Sequence, residues 1–257
     1  MSGSIPYSPS TGVVVTGGGS GIGRATTLAL VEAGRPVAVW DRKAESAEAV
    51  VDEVRSRGGH AVAVSIDVQD LAGFGDAIAR SRDAIGSIGG LVHAAGIVGS
   101  ARIEALSEDV WDNTLGIHLK AAAFLIRDLV GDFTANPGSA IVLISSIEAI
   151  VAHEAIASYC AAKAGMLGLA RSTAARLGAR GVRANCICPG FIDTPMFAKT
   201  LGDDPDARGR HETRIPLQRL GRPEDIGRTA RFLLSDDAAY ITAAEIVVDG
   251  GVTRTTF

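Results

Sequence analysis

Short apolar runs alternate with longer helical stretches along almost the whole chain. Seven runs have the composition of buried strands: GVVVT (12–16), PVAVW (36–40), AVAVS (61–65), GGLVHAAG (89–96), AIVLISS (140–146), GVRANCICP (181–189) and EIVVDGG (245–251). Strands that are apolar on both faces and separated by helices pair in parallel, with helices covering both sides. The pattern therefore predicts an α/β fold with a doubly wound, parallel, seven-stranded sheet.

The stretches between these runs are predicted as helices over 21–33, 44–57, 71–85, 107–133, 156–179 and 223–234. No repeat, linker or break in composition divides the chain. We therefore expect a single domain over 1–257, with a loosely ordered lead-in over 1–11. Residues 195–215 are rich in Gly, Asp, Arg and Pro and have weak periodicity, which is typical of a mobile lid.

Composition excludes several classes of partner. Hydrophobic residues make up 47% of the chain, and the net charge of −4 comes without a basic block, so neither nucleic acid nor an acidic membrane surface is expected. No apolar run reaches membrane-spanning length, and the opening MSGSIPYSPS lacks the features of a secretory signal. Cys160, Cys186 and Cys188 have neither disulfide nor zinc spacing, which predicts a cytoplasmic protein without a metal site. Cys186 and Cys188 are expected in the core.

A glycine-rich turn, TGGGSGIGRA, joins the first strand to the first helix. Glycines at this place let the backbone approach a pyrophosphate, and the helix N-terminus supplies free N–H groups. The spacing Gly17-x3-Gly21-x-Gly23 differs from the G-x-G-x-x-G of other dinucleotide binders, but its context of strand, turn and helix is that of a Rossmann-type fold. The residues expected around the cofactor here are Gly17, Gly19, Ser20, Gly21, Ile22 and Gly23.

Two later strand ends extend this cofactor site. Asp41 ends the second strand, where a carboxylate accepts hydrogen bonds from the adenosine ribose and repels a 2′-phosphate. NAD is therefore expected, although the adjacent Arg42 leaves NADP as the less favoured alternative because an arginine can bind that phosphate. Asp67 and Val68 follow the third strand, where they could hold the adenine or simply cap a loop.

Tyr159 and Lys163 are four residues apart in an Ala-rich, helix-favouring stretch, so their side chains share one helical face. A lysine ammonium beside a phenol favours phenolate and lowers its pKa. Lowering that pKa from about 10 to about 7 requires roughly 4 kcal/mol of preferential stabilisation. The Ser146 hydroxyl, at the end of the fifth strand, can bind the oxygen that gains or loses the proton.

The ordered motifs resemble those of the short-chain dehydrogenase/reductases over nearly the whole chain. The elements that carry the resemblance are Thr16-Gly17-x3-Gly21-Ile22-Gly23, Asp67-Val68, Ala95-Gly96, Ser146, Tyr159-x3-Lys163, Pro189-Gly190 and Asp249-Gly250-Gly251. The resemblance implies that Tyr159 is the acid/base, that Ser146 orients the substrate oxygen, and that Lys163 lowers the tyrosine pKa and holds the nicotinamide ribose. It also implies a homotetramer that pairs the helices predicted over 107–133 and 156–179.

By the same resemblance, the segment from Pro189 and Gly190 to Thr194 lies along the nicotinamide, with Ile192 and Thr194 near its carboxamide. The lid closes over the substrate. Glu148 and His153 occupy places that tend to face the substrate, as do Phe191 and Met196, so a partly polar substrate is expected. A salt bridge between Glu148 and His153, or exposure at the rim, is the alternative. His60 and His211 are interpreted as surface residues without a role.

Two positions depart from the family pattern. The usual Asn-Asn-Ala-Gly is here His93-Ala94-Ala95-Gly96, which puts some hydrogen bonds of the fourth strand in doubt, although Ala94, Ala95 and Gly96 remain expected cofactor contacts. His118 occupies the place of the usual catalytic asparagine, whose carbonyl holds a water in the proton relay. A neutral imidazole can accept the same hydrogen bond, so we expect His118 to replace it. Asn113 is five residues early and is not expected to face the site.

These observations together predict an oxidoreductase that moves hydride between NAD and a secondary alcohol or ketone, with the protein supplying orientation and the proton. Two alternatives remain. One is an NADP(H)-dependent 3-oxoacyl carrier-protein reductase, against which Asp41 argues. The other is a catalytically silent dinucleotide sensor, against which the complete set of Ser146, Tyr159 and Lys163 argues.

Overall fold

The computed structural model describes residues 10–255, so most of the expected lead-in lies outside the described residues. A seven-stranded parallel sheet has the strand order β3-β2-β1-β4-β5-β6-β7. The strands are β1 (Gly12–Thr16), β2 (Val37–Asp41), β3 (Ala61–Ser65), β4 (Ile88–His93), β5 (Ala140–Ile144), β6 (Arg183–Pro189) and β7 (Glu245–Val248). The predicted doubly wound parallel sheet is confirmed.

Helices connect the strands in the predicted places. The α-helices are α1 (Gly21–Glu32), α2 (Ala44–Ser56), α3 (Phe74–Ile85), α4 (Glu108–Leu115), α5 (Ala121–Ala135), α6 (Ala157–Leu177), α7 (Pro195–Leu201), α8 (Ala207–Glu212) and α9 (Pro223–Leu233). Short 3-10 turns occupy Leu71–Gly73, Ile103–Ala105, Ile147–Ala149, Gly178–Arg180 and Asp236–Ala238. None of the helices in residues 10–255 combines the length and the apolar character needed to cross a bilayer.

Alternate residues of the strands supply two separate cores, one on each face of the sheet. On one face, Val13 and Val39 pack with apolar residues of α1, α2 and α9. On the other face, Val14 and Trp40 pack with apolar residues of α3, α5 and α6, and the predicted core cysteines Cys186 and Cys188 lie here. Because both faces are buried, the strands carry the continuous apolar runs seen in the sequence.

The helix predicted over 107–133 is present as an unbroken helical segment, but it is not regular along its length. It starts as α4, widens into a π-turn at Gly116–Lys120 and resumes as α5. The imidazole Nε2 of His93 lies 3.1 Å from the carbonyl oxygen of Ile117 inside this turn. That carbonyl is therefore shared with a side chain from β4, and π-turns of this kind are frequent at functional sites.

The segment predicted as an irregular lid is more ordered than expected. It contains the short helices α7 and α8, and Ile215 at its end is only 1% exposed. The Thr194 hydroxyl caps α7 by accepting a hydrogen bond from the Phe197 amide at 3.1 Å. The Arg208 guanidinium also pairs with Asp193, which joins α8 to the segment after β6.

We expect the packing between α5 and the sheet to dominate stability. Leu129 on α5 is fully buried, and Leu129→Ala should lower the free energy of unfolding by about 2–5 kcal/mol because it leaves a cavity. Leu217, which is 65% exposed, provides the control, and Leu217→Ala should change stability by less than about 0.5 kcal/mol. Urea denaturation followed by circular dichroism measures both; equal losses would contradict the described core.

Candidate active site

Ser146, Tyr159 and Lys163 meet at the carboxyl end of β5. Ser146 follows this strand and opens a 3-10 turn, whereas Tyr159 lies in the first turn of α6 with Lys163 one turn later. The Ser146 hydroxyl forms a hydrogen bond with Tyr159. The Lys163 Nζ lies 5.3 Å from the centre of the Tyr159 ring and donates to the carbonyl oxygen of Ile144 at 2.7 Å. The structure thus brings together the three residues that the sequence singled out.

The electrostatics of this group differ from expectation. Burial raises the pKa of Tyr159 to about 12, and the hydrogen bond from Ser146 only partly offsets that effect. Burial also lowers the pKa of Lys163 to about 7. In the site as described, burial therefore outweighs the lowering of the tyrosine pKa that is expected from Lys163. The physical reason is that removing both groups from water penalises phenolate and ammonium alike.

His118 lies against Tyr159 with its ring edge-on, at 5.4 Å between ring centres. Its Nε2 is 2.8 Å from the carbonyl oxygen of Ile97 and 3.2 Å from the Ile97 amide nitrogen, and the shorter contact assigns the proton to Nε2. Its Nδ1 is buried without a partner among the described residues. Burial, followed by the charge of Lys163, lowers the pKa of His118 well below 6.5, so the ring is neutral as expected.

His93 restores the hydrogen bonds that the missing asparagines put in doubt. Its Nδ1 lies 2.9 Å from the Thr16 hydroxyl, which also accepts from the amides of Ala94 and Ala95 at 3.2 Å. Its Nε2–H donates to Ile117, as described above. Burial lowers the pKa of His93 to about 4, which keeps the ring neutral. A neutral ring can accept from the Thr16 hydroxyl at Nδ1 and donate to the Ile117 carbonyl from Nε2. In the sequence, the only sign of this role was that His93 stands where the family has asparagine.

The glycine-rich turn is shaped for close approach of a ligand's phosphates. A Cβ at Gly23 would lie 2.1 Å from the Gly17 carbonyl oxygen, and one at Gly17 would meet the backbone of Ala95 at 2.8 Å. The Ser20 side chain makes no capping hydrogen bond, and no acidic residue lies in the first turn of α1. The amide groups at this helix N-terminus are therefore open to an anion, and the residues present fit a dinucleotide pyrophosphate.

Asp41 lies beside the same turn. Its carboxylate accepts hydrogen bonds from the Gly19 and Lys43 amides, both at 3.0 Å, so its position is defined by backbone on both sides. Arg42 is exposed, and no ion pair of its guanidinium occurs within residues 10–255. The Asp41 carboxylate is therefore fixed beside the glycine-rich turn, whereas the Arg42 guanidinium is not fixed there by an ion pair with any of these residues.

Further along the edge, Asp67 accepts a hydrogen bond from the Gln69 amide at 2.9 Å and so caps its own turn. Val68 is buried with Ile117 and Ala121, and Ala95 packs against this small cluster. A Cβ at Gly96 would lie 2.3 Å from the His118 ring, so the glycine makes room for the imidazole. Asn113 does not face the site, as expected, because its side chain accepts a hydrogen bond from Gln69.

The segment after β6 crosses the front of the glycine-rich turn. The Gly190 amide donates to Val248 at 3.0 Å, and Ile192 is 5% exposed and bridged to Gly221. A Cβ at Gly21 would be 3.4 Å from the Thr194 methyl group. The segment after Pro189 therefore brings Thr194 beside Gly21 of the glycine-rich turn, and Ile192 packs in the same cluster as Ile22.

The expected substrate side is partly polar. Glu148 is half-buried, and His153 is exposed within electrostatic reach of it; no ion pair between them is found in the described part of the chain. Met196 is 38% exposed. His211 is partly exposed, and its ring packs against Phe191 at 4.5 Å between ring centres, a contact that was not predicted. Phe191 is twenty residues away from His211 in the sequence, so no local pattern around His211 indicated this contact. His60 is exposed, as expected.

Comparison with known proteins places this fold and site. The family profile described as "Enoyl-(Acyl carrier protein) reductase" matches residues 17–253. The chain is 34% identical over 238 residues to the 2,5-dichloro-2,5-cyclohexadiene-1,4-diol dehydrogenase of Sphingobium indicum, covering 93% of this chain and 94% of the relative. It is 36% identical over 240 residues to the 3-oxoacyl-[acyl-carrier-protein] reductase of Staphylococcus aureus, covering 93% and 96%.

A crystal structure titled "Short-chain dehydrogenase/reductase SDR:Glucose/ribitol dehydrogenase" from Brucella melitensis superimposes with a TM-score of 0.89 at 27% identity, covering 96% of this chain and 99% of that one. The chain belongs to the short-chain dehydrogenase/reductase family. It is an oxidoreductase that acts on alcohols, in a family that uses NAD or NADP.

Proposed function

We propose that this protein transfers hydride between NAD and a secondary alcohol or its ketone, with Tyr159 as the acid/base. The observation that carries the proposal is the convergence of Ser146, Tyr159 and Lys163 beside the glycine-rich turn, on the same sheet edge as Asp41. The cofactor, when bound, accepts or supplies the hydride, and the protein must manage the proton.

Each of the three residues has a distinct task. Tyr159 takes the proton from the alcohol oxygen, or returns it to the ketone oxygen. Ser146, in hydrogen-bond contact with Tyr159, donates to that same oxygen and holds it in place. Lys163 places a cationic group beside the ring and favours phenolate whenever it is protonated. The residues proposed to hold the cofactor are those of the glycine-rich turn with Asp41, Arg42, Asp67, Val68, Ala94, Ala95, Gly96, Lys163, Pro189, Gly190, Ile192 and Thr194.

We expect NAD to be preferred over NADP by at least about tenfold in kcat/KM, or on the order of 1.4 kcal/mol, because the Asp41 carboxylate repels a 2′-phosphate. Asp41→Ala should lower the ratio of kcat/KM with NAD to kcat/KM with NADP. Asp41→Asn should lower it as well, because this variant keeps a hydrogen-bond acceptor for Gly19 but removes the charge. Asp52→Ala, at an exposed carboxylate on α2, is the control. A wild-type preference for NADP would show that Arg42 outweighs Asp41.

Tyr159→Phe keeps the ring and removes only the proton carrier. Turnover should fall by about 10²-fold or more, while NAD affinity measured by calorimetry stays unchanged. Tyr240 is fully exposed, so Tyr240→Phe is the matched control and should retain wild-type turnover. Near-normal turnover in the Tyr159→Phe variant would overturn the proposed mechanism.

We also propose that His118 is a positioning residue of the proton relay. Its buried, unpartnered Nδ1 lies in the electrostatic neighbourhood of Lys163 and can accept a hydrogen bond from a water beside that lysine. Protonation would remove this acceptor. Because the pKa of His118 is lowered, the ring loses this acceptor, and kcat falls, only at a pH below the ordinary titration range of histidine.

His118→Leu should lower kcat by about tenfold or more with little change in NAD affinity, because the relay acceptor is gone. His118→Asn should keep substantial activity and lose the additional acid-side fall in kcat. His60→Leu, at an exposed histidine, is the control. Three superimposable pH profiles of kcat for the wild type and the two His118 variants would reduce His118 to a packing residue.

A second candidate activity, the reduction of a 3-oxoacyl thioester with NADPH, is favoured by the 36% identity to the Staphylococcus aureus reductase. Asp41 argues against it through the choice of cofactor. Assaying acetoacetyl thioesters with NADPH beside secondary alcohols with NAD separates the two activities. A protein that binds dinucleotides but turns over neither substrate class would be the silent sensor.

We propose that the protein works as a cytoplasmic homotetramer. The three cysteines are unpaired, which suits a reducing compartment. Trp111 on α4 is 38% exposed, and an exposed aromatic side chain on one of the two long helical segments supports pairing there. Sedimentation velocity measures the assembly directly.

A further inference from the structure

Two polar atoms on the substrate side are buried without a hydrogen-bond partner in the described part of the chain: Oε2 of Glu148 and Nδ1 of His211. Neither belongs to the residues assigned to proton transfer or to the cofactor. A buried acceptor or donor without a partner is destabilising, so such atoms are seldom left unpaired without a reason. Both lie at the carboxyl edge of the sheet that holds Ser146 and Tyr159.

Glu148 lies two residues after Ser146 and close enough to Tyr159 to affect its ionisation electrostatically. Burial raises the pKa of Glu148, while the charges of His153 and Arg214 act in the opposite direction. The Arg214 guanidinium already acts on the carboxylate as a counter-charge. What Oε2 lacks is a hydrogen-bond donor.

His211 is held in an aromatic cluster that we define as Phe191, Phe197 and His211. The ring of His211 lies 4.5 Å from that of Phe191 and 5.3 Å from that of Phe197, both edge-on. Phe191 follows β6, which pairs with β5 ahead of Glu148, so the cluster and the carboxylate lie at neighbouring strand ends, and Arg214 acts electrostatically on both. Burial lowers the pKa of His211, so its free nitrogen belongs to a neutral ring.

We propose that the substrate is a neutral cyclic diol or polyol. The reacting carbinol lies at Ser146 and Tyr159, a second hydroxyl donates to Glu148 and meets His211, and one apolar ring face packs on Phe191 and Phe197. A hydroxyl that donates its one proton to the carboxylate still accepts from the imidazole when Nδ1 carries the proton, and a further hydroxyl of a polyol donates to Nδ1 in the other tautomer. The inference rests on the proposed function and specifies its substrate class.

Other substrate chemistries fit less well. A carboxylate would face the unpaired oxygen of Glu148 and be repelled by it. An ammonium would be repelled by the Arg214 guanidinium, which already acts on Glu148. A simple alkanol would leave both buried polar atoms unpaired in the complex, which loses affinity compared with a substrate that pairs them.

The first test compares cyclohexanol with trans-1,2- and trans-1,4-cyclohexanediol, measured as NADH formation by the wild-type protein. These probes share the ring and differ in the second hydroxyl. We expect kcat/KM for at least one diol to exceed that for cyclohexanol by about tenfold or more, beyond the factor of about two that two equivalent carbinols supply. An equal or greater kcat/KM for cyclohexanol overturns the inference.

Variants then show which residues are responsible for the preference for a diol. Glu148→Leu removes the acceptor at similar volume and should reduce the ratio of diol to cyclohexanol kcat/KM to within about threefold, chiefly through KM for the diol. His211→Phe keeps the aromatic packing, removes the nitrogen, and should reduce the ratio by a smaller factor. Glu154→Leu, at an exposed carboxylate in the same loop, is the matched control and should retain the wild-type ratio. An unchanged ratio in Glu148→Leu overturns the assignment.

Binding separates this inference from the proposed activity. Saturation-transfer NMR with the same three probes measures occupancy of the cleft without turnover, in the wild type and in Glu148→Leu. A diol preference in binding that Glu148→Leu abolishes, with no turnover of any probe, would support the recognition site and reject the proposed hydride transfer. Turnover without any preference for a diol in binding or in rate would support the proposed hydride transfer and reject the recognition site.

Discussion

The parallel pairing of the central strands is the interaction on which the rest of the structure depends. Hydrogen bonds set β1 against β4 and β5 against β6 in register, so their carboxyl ends finish at one edge. Ser146 follows the end of β5 directly, and α6, which carries Tyr159 and Lys163, is hydrogen-bonded to the same end. A slip of one residue in any of these pairs would turn a buried face outward and carry the attached loop away from its neighbours.

Desolvation governs the chemistry of this edge. The same burial that raises the pKa of Tyr159 lowers those of Lys163, His93 and His118, because each charged form loses its hydration. The protein compensates with hydrogen bonds suited to neutral rings, as in the chain from Thr16 through His93 to Ile117. The site therefore combines ionisable groups with an environment that disfavours their charges.

Much of the fold was predictable because it is encoded locally. Each apolar run became a strand, and the Tyr159–Lys163 spacing became a shared helical face once α6 formed. What escaped prediction depends on partners distant in sequence. The π-turn at Gly116–Lys120 involves an imidazole from β4, and His211 is half-buried only because Phe191 and Phe197 surround it. The direction of the Tyr159 pKa shift likewise depended on burial, which no motif reports.

Two contacts join α6 to the end of β5. The Ser145 hydroxyl donates to the carbonyl oxygen of Lys163 at 2.8 Å, and Nζ of the same lysine returns to Ile144 at 2.7 Å. The end of β5 and the helix α6 are thus held together by hydrogen bonds at two adjacent residues of the strand end. A change in the position of α6 would therefore have to break these bonds before it could alter the spacing between Ser146 and Tyr159.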